Sequence, residues 1–346
     1  MSNSIQTQVD DARILLELEN LVRETFMLWD EMRVGFSWRY YFFNHTQRVR
    51  KLSLTIGKLE GADLRKLEYA SLLHDITKRY DGNFLTDKDG KRVINEDGFW
   101  LNEMLWPNPN KSNIITELYK DNDLDYKIHN VSGGVIAKCL LKQRYGLPDD
   151  FCESVASTIT SHLKPNETSV EKLKEFMDNL EARIIYEVDT MDANLGFSAF
   201  FRNIGIHTHF AVQRDGKYDL KEYLTGIPRW LDMKEDFIPS MQTETGLKVG
   251  KARQQRNWDV WHLIEKELED SELNENYGIL GVVKFLMSCH EDPSMAEQMD
   301  YIEKVWIPEH RQMLANENSR KAIAEESLNR SIDFHALMMK EMMGEI

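Results

Sequence analysis

The segment "YASLLHDITKRYDG", residues 69–82, joins an apolar run to a group of polar side chains. Its first half is apolar and has the character of a buried helix. His74 and Asp75 then follow two leucines directly, and Lys78 comes four residues after His74. Because a buried carboxylate is costly unless it is paired or binds a metal, this arrangement predicts a polar site at the end of a buried helix.

Helical patterns surround this stretch on both sides. Apolar residues recur at helical spacing through residues 11–195, less regularly just after residue 196, and again after Glu244. We therefore predict an all-α protein. Its first domain is expected to span residues 1–200, followed by a helical C-terminal extension over 201–346. Asp63 is a candidate N-cap of the helix that leads into the stretch quoted above.

The few strand signals lie in one polar insertion, residues 81–125. There "NFLTDKDGKRVI" (83–94) places the turn-forming pair Asp89-Gly90 between two short β-prone runs, which predicts a small hairpin. The insertion separates two of the helices that carry candidate site residues, so it is well placed to form a lid or a wall of the site. We recognise no internal repeat in the chain.

The composition limits the partners of the chain. Its 346 residues carry a net charge of −15, which argues against a nucleic acid polymer, because binding a phosphate backbone needs a basic face. No apolar run is long enough for a membrane span, and the N-terminus lacks a signal peptide pattern. Cys139, Cys152 and Cys289 show neither a disulfide framework nor a metal knuckle. We therefore expect a cytoplasmic protein without a membrane partner.

Further polar residues fall on otherwise apolar helices. His45 and His129 each begin a predicted helix, His162 ends another, and Asp189 lies inside a fifth. Any one of them alone is more often a capping residue or a hydrogen-bonded core residue. Together with the pair in the opening stretch, they offer inward-facing ligands from five helices, which is typical of a site at the centre of a bundle. Imidazoles and carboxylates without thiolates suit Fe, Mn, Co or Zn better than Ca.

The order of these residues, H…HD…H…H…D, resembles that of the HD superfamily of metal-dependent phosphohydrolases over residues 40–195. The resemblance implies a helical HD-domain bundle with six metal ligands, namely His45, His74, Asp75, His129, His162 and Asp189. In the minimal form of the family, the first His, the HD pair and the last Asp hold one metal. Other forms add two histidines and a second metal, with the HD aspartate as the bridge. The resemblance thus implies two divalent transition metals, Fe or Mn first, with Co, Ni and Zn as alternatives.

Charged residues near the ligands are candidates for catalysis and substrate binding. By the resemblance, Asp75 is catalytic as the bridge between two metals. Lys78 is the second catalytic candidate, because its ammonium can grip a substrate oxygen or protonate a leaving group. Arg48 and Arg79 join Lys78 as candidate substrate-binding residues, since guanidinium groups bind phosphate well. A basic cluster in residues 248–256 is either a further phosphate site or a solvated helix face.

We therefore expect a hydrolase that cleaves a phosphate ester or anhydride of a nucleotide-like small molecule. The alternative is a mixed-valent diiron oxygenase acting on a small polar or phosphonate substrate, because the same ligand order occurs in that class. The separation of 27 residues between His162 and Asp189 is closer to the hydrolase pattern. A non-enzymatic binding module is disfavoured because the ligand set is intact. Assembly as a homo-oligomer is left open.

Overall fold

The computed structural model describes four ranges of the chain, residues 2–29, 40–166, 170–317 and 319–346. Within these ranges the fold is helical, with one small sheet of two strands, which confirms the predicted all-α class. The chain forms two compact units, of which the first contains the N-terminal helix and Phe42–Val188, and the second contains Asp189–Ile346. The division of the chain into a domain at 1–200 and an extension at 201–346 stays a prediction.

The helices up to the boundary between the units follow one another with short connections, apart from the insertion. They are α1 (Ser2–Phe26), α2 (Tyr41–Glu60), α3 (Leu64–Leu73), α4 (Ile114–Asp121), α5 (His129–Gln143), α6 (Asp149–Thr160), α7 (Val170–Asp178) and α8 (Leu180–Asn194). A 3₁₀ turn covers Lys78–Tyr80. The boundary between the units falls inside α8, directly after Val188.

Helix α3 begins as the sequence predicts and ends abruptly. Asp63 caps it by accepting a hydrogen bond from the backbone N–H of Lys66 at 3.1 Å. The helix stops one residue before His74, so His74 and Asp75 lie in a tight turn beyond it. The carbonyl of Asp75 accepts a hydrogen bond from the N–H of Lys78 at 2.8 Å, which closes this turn. The polar pair is therefore held on a short, hydrogen-bonded turn at the end of a buried helix.

The insertion between α3 and α4 carries the sheet. Strand β1 (Asp81–Phe84) pairs antiparallel with β2 (Asn102–Met104). The predicted turn at Asp89-Gly90 is present, with Gly90 at φ 76° and an isolated bridge across the turn. The regular partner of β1 is nevertheless β2, not the segment that directly follows the turn. The predicted hairpin is therefore only one part of a larger strand arrangement.

An internal repeat builds this arrangement, contrary to the expectation stated above. Three consecutive segments of eight residues each begin with Asp-Gly: DGNFLTDK (81–88), DGKRVINE (89–96) and DGFWLNEM (97–104). Their equivalent apolar residues form a closed ring of backbone hydrogen bonds, each 2.9 Å long. The N–H of Leu85 donates to the carbonyl of Leu101, that of Leu101 to Val93, and that of Val93 to Leu85. The insertion is thus a small ring of three related segments.

The second unit is helical as well, and within the described ranges every helix is too short or too polar to span a membrane. The stretch after residue 196, which reads as less regular in sequence, folds into α9 and α10. The helices are α9 (Phe197–Asp215), α10 (Leu220–Thr225), α11 (Ile227–Glu235), α12 (Glu244–Glu267), α13 (Ser271–Tyr277), α14 (Ile279–Ser288), α15 (Met295–Tyr301), α16 (Ile307–Ala315) and α17 (Lys321–Met342). Short 3₁₀ turns cover Ile238–Ser240 and Leu268–Asp270, and a π-helical turn covers Ile302–Trp306.

The arginines of the basic cluster in residues 248–256 bind a carboxylate inside the second unit. Nη2 of Arg256 lies 3.0 Å from Oε1 of Glu341, and the buried Arg253 approaches the other carboxylate oxygen at 3.9 Å. That second oxygen also accepts a hydrogen bond of 2.7 Å from the N–H of Phe197, at the start of α9. These contacts match neither sequence interpretation for the two arginines, because both bind Glu341 of α17, which in turn contacts the start of α9.

Candidate metal centre

The six predicted ligands come from five places in the fold. They are His45 in α2, His74 and Asp75 in the turn after α3, His129 at the first position of α5, His162 just after α6, and Asp189 in α8. Asp189 directly follows the boundary between the units, inside the helix that begins in the first unit. It is half-buried, while the other five are buried.

The ligand atoms of these residues fall into two groups. In each group all ligand atoms lie within 4.8 Å of one another. The first group consists of His45, His74 and Asp189, and the second group consists of Asp75, His129 and His162. The structure thus brings together all six residues, and both groups offer nitrogen and oxygen donors that suit a divalent transition metal. Their roles as metal ligands stay predictions.

Asp75 lies between the two groups. Its Oδ2 is 3.7 Å from Nε2 of His45 and 3.7 Å from Nε2 of His74, both in the first group. Its Oδ1 is 3.4 Å from Nε2 of His129, in the second group. Each oxygen of one carboxylate therefore faces a different set of imidazoles, which is the arrangement required of a residue that ligates two ions at once.

Hydrogen bonds at Nδ1 orient three of the imidazoles. Nδ1 of His74 lies 2.8 Å from the carbonyl oxygen of Ser71, and Nδ1 of His162 lies 2.6 Å from that of Ile159. Because a carbonyl oxygen can only accept, Nδ1 carries the proton in both rings and Nε2 keeps its lone pair. His129 reaches the same state through a carboxylate, since its Nδ1 lies 2.5 Å from Oδ2 of Asp81. In this tautomer Nε2 is the ring nitrogen able to bind a metal.

The electrostatics of Asp75 are dominated by its cationic and imidazole neighbours. Burial alone raises the pKa of its carboxyl, but the charges of His74, His129, Lys78 and His45 outweigh burial and lower the pKa below its ordinary value. Asp75 is therefore ionised at neutral pH in spite of being buried. An ionised carboxylate is the form that ligates cations.

Lys78 lies at the edge of the second group. Its Nζ is 3.2 Å from Nδ1 and 3.3 Å from Nε2 of His129, and the side chain is half-buried. The turn after α3 therefore keeps the ammonium next to the centre, although α3 does not continue to Lys78 as a helix. This position is compatible with the predicted catalytic and substrate-binding roles of Lys78, which stay predictions.

The two arginines predicted to bind substrate are both buried. Nη1 of Arg79 donates a hydrogen bond of 2.9 Å to the carbonyl of Phe26, and its guanidinium lies 5.4 Å from the ring centre of Trp29. These contacts hold the turn before the insertion against the end of α1. Arg48 projects from α2 with only 8% of its surface exposed. The substrate-binding roles of Arg48 and Arg79 stay predictions.

Close packing of α5 against α6 brings His129 and His162 together. A Cβ at Gly134 would lie 2.9 Å from the carbonyl oxygen of Ala156, so only a glycine fits without a shift of backbone. Near the ends of the two helices, Nδ2 of Asn130 donates a hydrogen bond of 2.6 Å to the carbonyl of Thr160. The small residues after His129 therefore allow the helix approach that places both imidazoles in one group.

Two contributors to the site were not identified from the sequence. Asp81 orients His129, as described above, and Thr77 donates a hydrogen bond of 3.0 Å from Oγ1 to the carbonyl of His129. Both residues lie within the opening stretch, but their contacts are to a helix that starts some 50 residues later. Spacing along one helix predicts neither contact. The Asp-Gly repeat, which begins at Asp81, is the sequence signal that sets Asp81 apart.

No curated protein matches the sequence significantly. Two crystal structures of YpgQ from Bacillus subtilis, one of them in complex with ADP, are similar to this chain at 17% and 16% identity. The matches cover 74% and 75% of this chain and 98% and 96% of YpgQ, with TM-scores of 0.36 and 0.37.

A family comparison covers the segment that contains all six candidate ligands. The model of the HD domain family matches residues 42–194. These residues include α2, the turn after α3, the insertion and α5 to α8. Both ligand groups lie within this segment, which is similar to the HD domain family.

Proposed function

We propose that this chain is a metal-dependent phosphohydrolase that cleaves a phosphate ester or anhydride of a nucleotide-like small molecule. In the proposal it uses two divalent transition metals, Fe or Mn. The observation that carries the proposal is the position of Asp75, whose two oxygens face different histidine groups. The nitrogen and oxygen donors of both groups suit such ions.

The roles of the residues follow from their positions. The two groups would hold cations, which would neutralise phosphoryl oxygens and lower the pKa of an attacking water. Asp75, shared between the groups, keeps the two binding sites at a fixed separation. Lys78 lies beside His129 and is half-buried, so it can donate to a phosphoryl oxygen or protonate the leaving oxygen. Arg48, buried in the ligand-bearing helix α2, is the further candidate for phosphate binding.

A cavity lined in part by residues that follow two candidate ligands in the sequence supports the nucleotide-like part of the proposal. Its volume is about 200 Å³, and its walls include Asn130, Leu163, and Phe99 of the insertion. Asn130 and Leu163 directly follow His129 and His162 in the sequence. An aromatic wall suits a nucleobase or another planar group. The net charge of −15 favours a small phosphorylated molecule over a polymer.

We place this reaction in the cytoplasm. Cys139, Cys152 and Cys289 are free thiols in the structure. Free thiols persist in a reducing compartment, whereas secreted proteins tend to pair their cysteines. The cytoplasmic location, like the substrate, is part of the proposal. A homo-oligomer is compatible with it.

The proposal is tested by reconstitution under anaerobic conditions. The full-length chain, stripped with a chelator, is loaded with Mn²⁺ or Fe²⁺ and assayed for phosphate or pyrophosphate release from a panel of nucleotides and other phosphate esters. We expect release that needs the metal and is lost in Asp75→Ala, because that variant removes the ligand shared by both groups. His262→Ala is the matched control, since His262 is exposed and belongs to the second unit.

The same preparations distinguish the oxygenase alternative. Iron-loaded protein that consumes O₂, shows a mixed-valent diiron signal and releases no phosphate from any substrate would replace the hydrolase proposal by the oxygenase one. Full phosphate release by Asp75→Ala would contradict any assignment in which Asp75 is a metal ligand.

A further inference from the structure

A carboxylate outside the ligand set contacts one of the ligand histidines. Oδ2 of Asp81 lies 2.5 Å from Nδ1 of His129, and only 8% of the Asp81 side chain is exposed. Asp81 is the first residue of β1, where it pairs with Met104 of β2. The N–H of Leu105 also donates to the carbonyl of Tyr80 at 2.9 Å. The backbone on both sides of Asp81 is thus fixed by the pairing that holds the insertion together.

The other two repeats show that this contact is particular to Asp81. Asp89 and Asp97 stand at the equivalent positions of the second and third repeats. Both are exposed, and Asp97 forms an ion pair with Lys172 at 2.6 Å. Three residues with the same local sequence therefore have different surroundings, and Asp81 is the one whose carboxylate reaches a predicted metal ligand. Asp89 provides a matched control in the same Asp-Gly context.

Lys78 lies close enough to His129 to compete with Asp81 for Nδ1 of the imidazole. Its Nζ lies 3.2 Å from Nδ1 and 3.3 Å from Nε2 of the same ring. An ammonium can only donate, so a neutral imidazole that accepted from Lys78 at Nδ1 would carry its proton on Nε2. Nε2 is the atom that faces Asp75 and would bind the ion. The Asp81 carboxylate can only accept, and it therefore favours the tautomer with the proton on Nδ1.

We propose that Asp81 is a positioning residue that holds His129 in the Nδ1–H tautomer and so permits an ion to bind the second group. The inference rests on the proposed two-metal function, because it concerns the loading of one of its two sites. His74 and His162 need no such residue, since backbone carbonyls accept their Nδ1–H bonds. The insertion thereby controls how tightly the second ion is held.

The test compares metal binding and imidazole tautomers in the full-length chain. Chelator-treated wild type, Asp81→Leu, Asp81→Ala and Asp89→Leu are titrated with Mn²⁺ by calorimetry. We expect two classes of site in wild type and in Asp89→Leu. In both Asp81 variants we expect the second ion to bind about 10- to 100-fold more weakly, with the first unchanged. Nitrogen-15 NMR of the metal-free protein should show Nδ1–H in His129 of wild type and a shift toward Nε2–H in Asp81→Ala.

Each outcome has a defined consequence. Wild-type affinity for both ions in the Asp81 variants overturns the inference, and so does an equal loss of both ions, which indicates a general structural role. Asp81→Leu has a side chain of similar size that cannot accept a hydrogen bond, so it keeps the test valid where Asp81→Ala fails to fold. Wild type that binds a single ion contradicts the two-metal function itself, while the tautomer of His129 still reports on Asp81 alone.

Discussion

The hydroxyl of Thr77 donates a hydrogen bond to the carbonyl oxygen of His129 at 3.0 Å. The same Oγ1 lies 2.8 Å from the hydroxyl oxygen of Ser132. Thr77 is fully buried, so no water can take the place of either partner. The turn that carries Asp75 is therefore joined to the start of α5 by contacts that need no metal. The protein itself sets the spacing between Asp75 and the histidine facing it.

The first prediction concerns this link. Thr77→Val keeps the shape of the side chain but leaves two buried oxygens without their partner, so it should destabilise the metal-free protein by about 1–3 kcal/mol. Urea unfolding followed by circular dichroism measures the change. Thr77→Ser retains the hydroxyl and serves as control. A loss of stability in Thr77→Ser but not in Thr77→Val would show that the methyl group, not the hydroxyl, is what Thr77 contributes.

The second prediction uses two adjacent glycines of α5. A Cβ at Gly134 would lie 2.9 Å from the carbonyl oxygen of Ala156, whereas at Gly133 the nearest atoms, the carbonyl oxygen of His74 and Cγ2 of Ile159, would lie 3.4 Å away. Gly134→Ala should therefore force α5 and α6 apart and cost about 1–3 kcal/mol. It should also weaken metal retention, because the displaced helices carry or precede His129 and His162.

Gly133→Ala is the matched control for that prediction. Both substitutions gain about 1 kcal/mol of helix propensity, so a difference between them reports on packing alone. We expect the Gly133 variant to retain stability near that of wild type and to bind metal normally. Equal unfolding midpoints for the two variants would contradict the close helix approach.

The candidate ligands could be predicted from the sequence because each carries a local signal. A histidine at a helix end, or an aspartate among buried residues as at Asp189, stands out against the apolar pattern of its own helix. Asp63 was likewise predictable as an N-cap, since the cap and the N–H that it binds lie within one turn. Such features depend on neighbours in the sequence. The all-α class was predictable for the same reason, because the apolar spacing that indicates each helix is local.

What the sequence did not reveal depends on contacts between distant residues. Asp81 and His129 meet only because the insertion closes on itself, and its repeat of Asp-Gly every eight residues was hidden by the stronger signal of a single hairpin turn. Arg253 resembles a solvated residue in sequence, yet it is buried beside Glu341 of α17. Charge patterns along one helix contain no information about a carboxylate on another.

The third prediction concerns metal removal. Ions that bind the folded chain and not the unfolded chain stabilise the fold. Metal at 100 times its dissociation constant should therefore add about 2.7 kcal/mol to the free energy of unfolding. Chelator-treated protein should therefore melt at a lower temperature than Mn²⁺-loaded protein. The difference should vanish in Asp75→Asn, which loses the ligand shared by both groups. His45→Ala should retain part of the difference in melting temperature, because its second group remains intact. Complete loss of the difference in His45→Ala would mean that the two groups do not bind metal independently.

The fourth prediction concerns pH and the second unit. Burial, and to a lesser extent the charge of Arg202, lower the pKa of Lys234 to about 8. Its Nζ donates a hydrogen bond of 2.7 Å to Oδ1 of Asn194. Between this pKa and the ordinary lysine value of 10.5 the unfolded chain binds a proton that the folded chain has released. This group therefore makes stability rise with pH within that window, and below it the folded state holds a partly buried ammonium at a cost.

Lys234→Met removes this ionisation and keeps a side chain of similar length. The stability of the variant relative to wild type should be greatest near neutral pH and should decline steadily as the pH rises from 8 to 10.5. The partial exposure of Lys234 makes the change modest, so unfolding in urea at several pH values is compared with that of Lys221→Met, which replaces an exposed lysine. Parallel profiles for the two variants would show that Lys234 remains protonated throughout the window, because a lysine that loses its proton on folding must give a different slope.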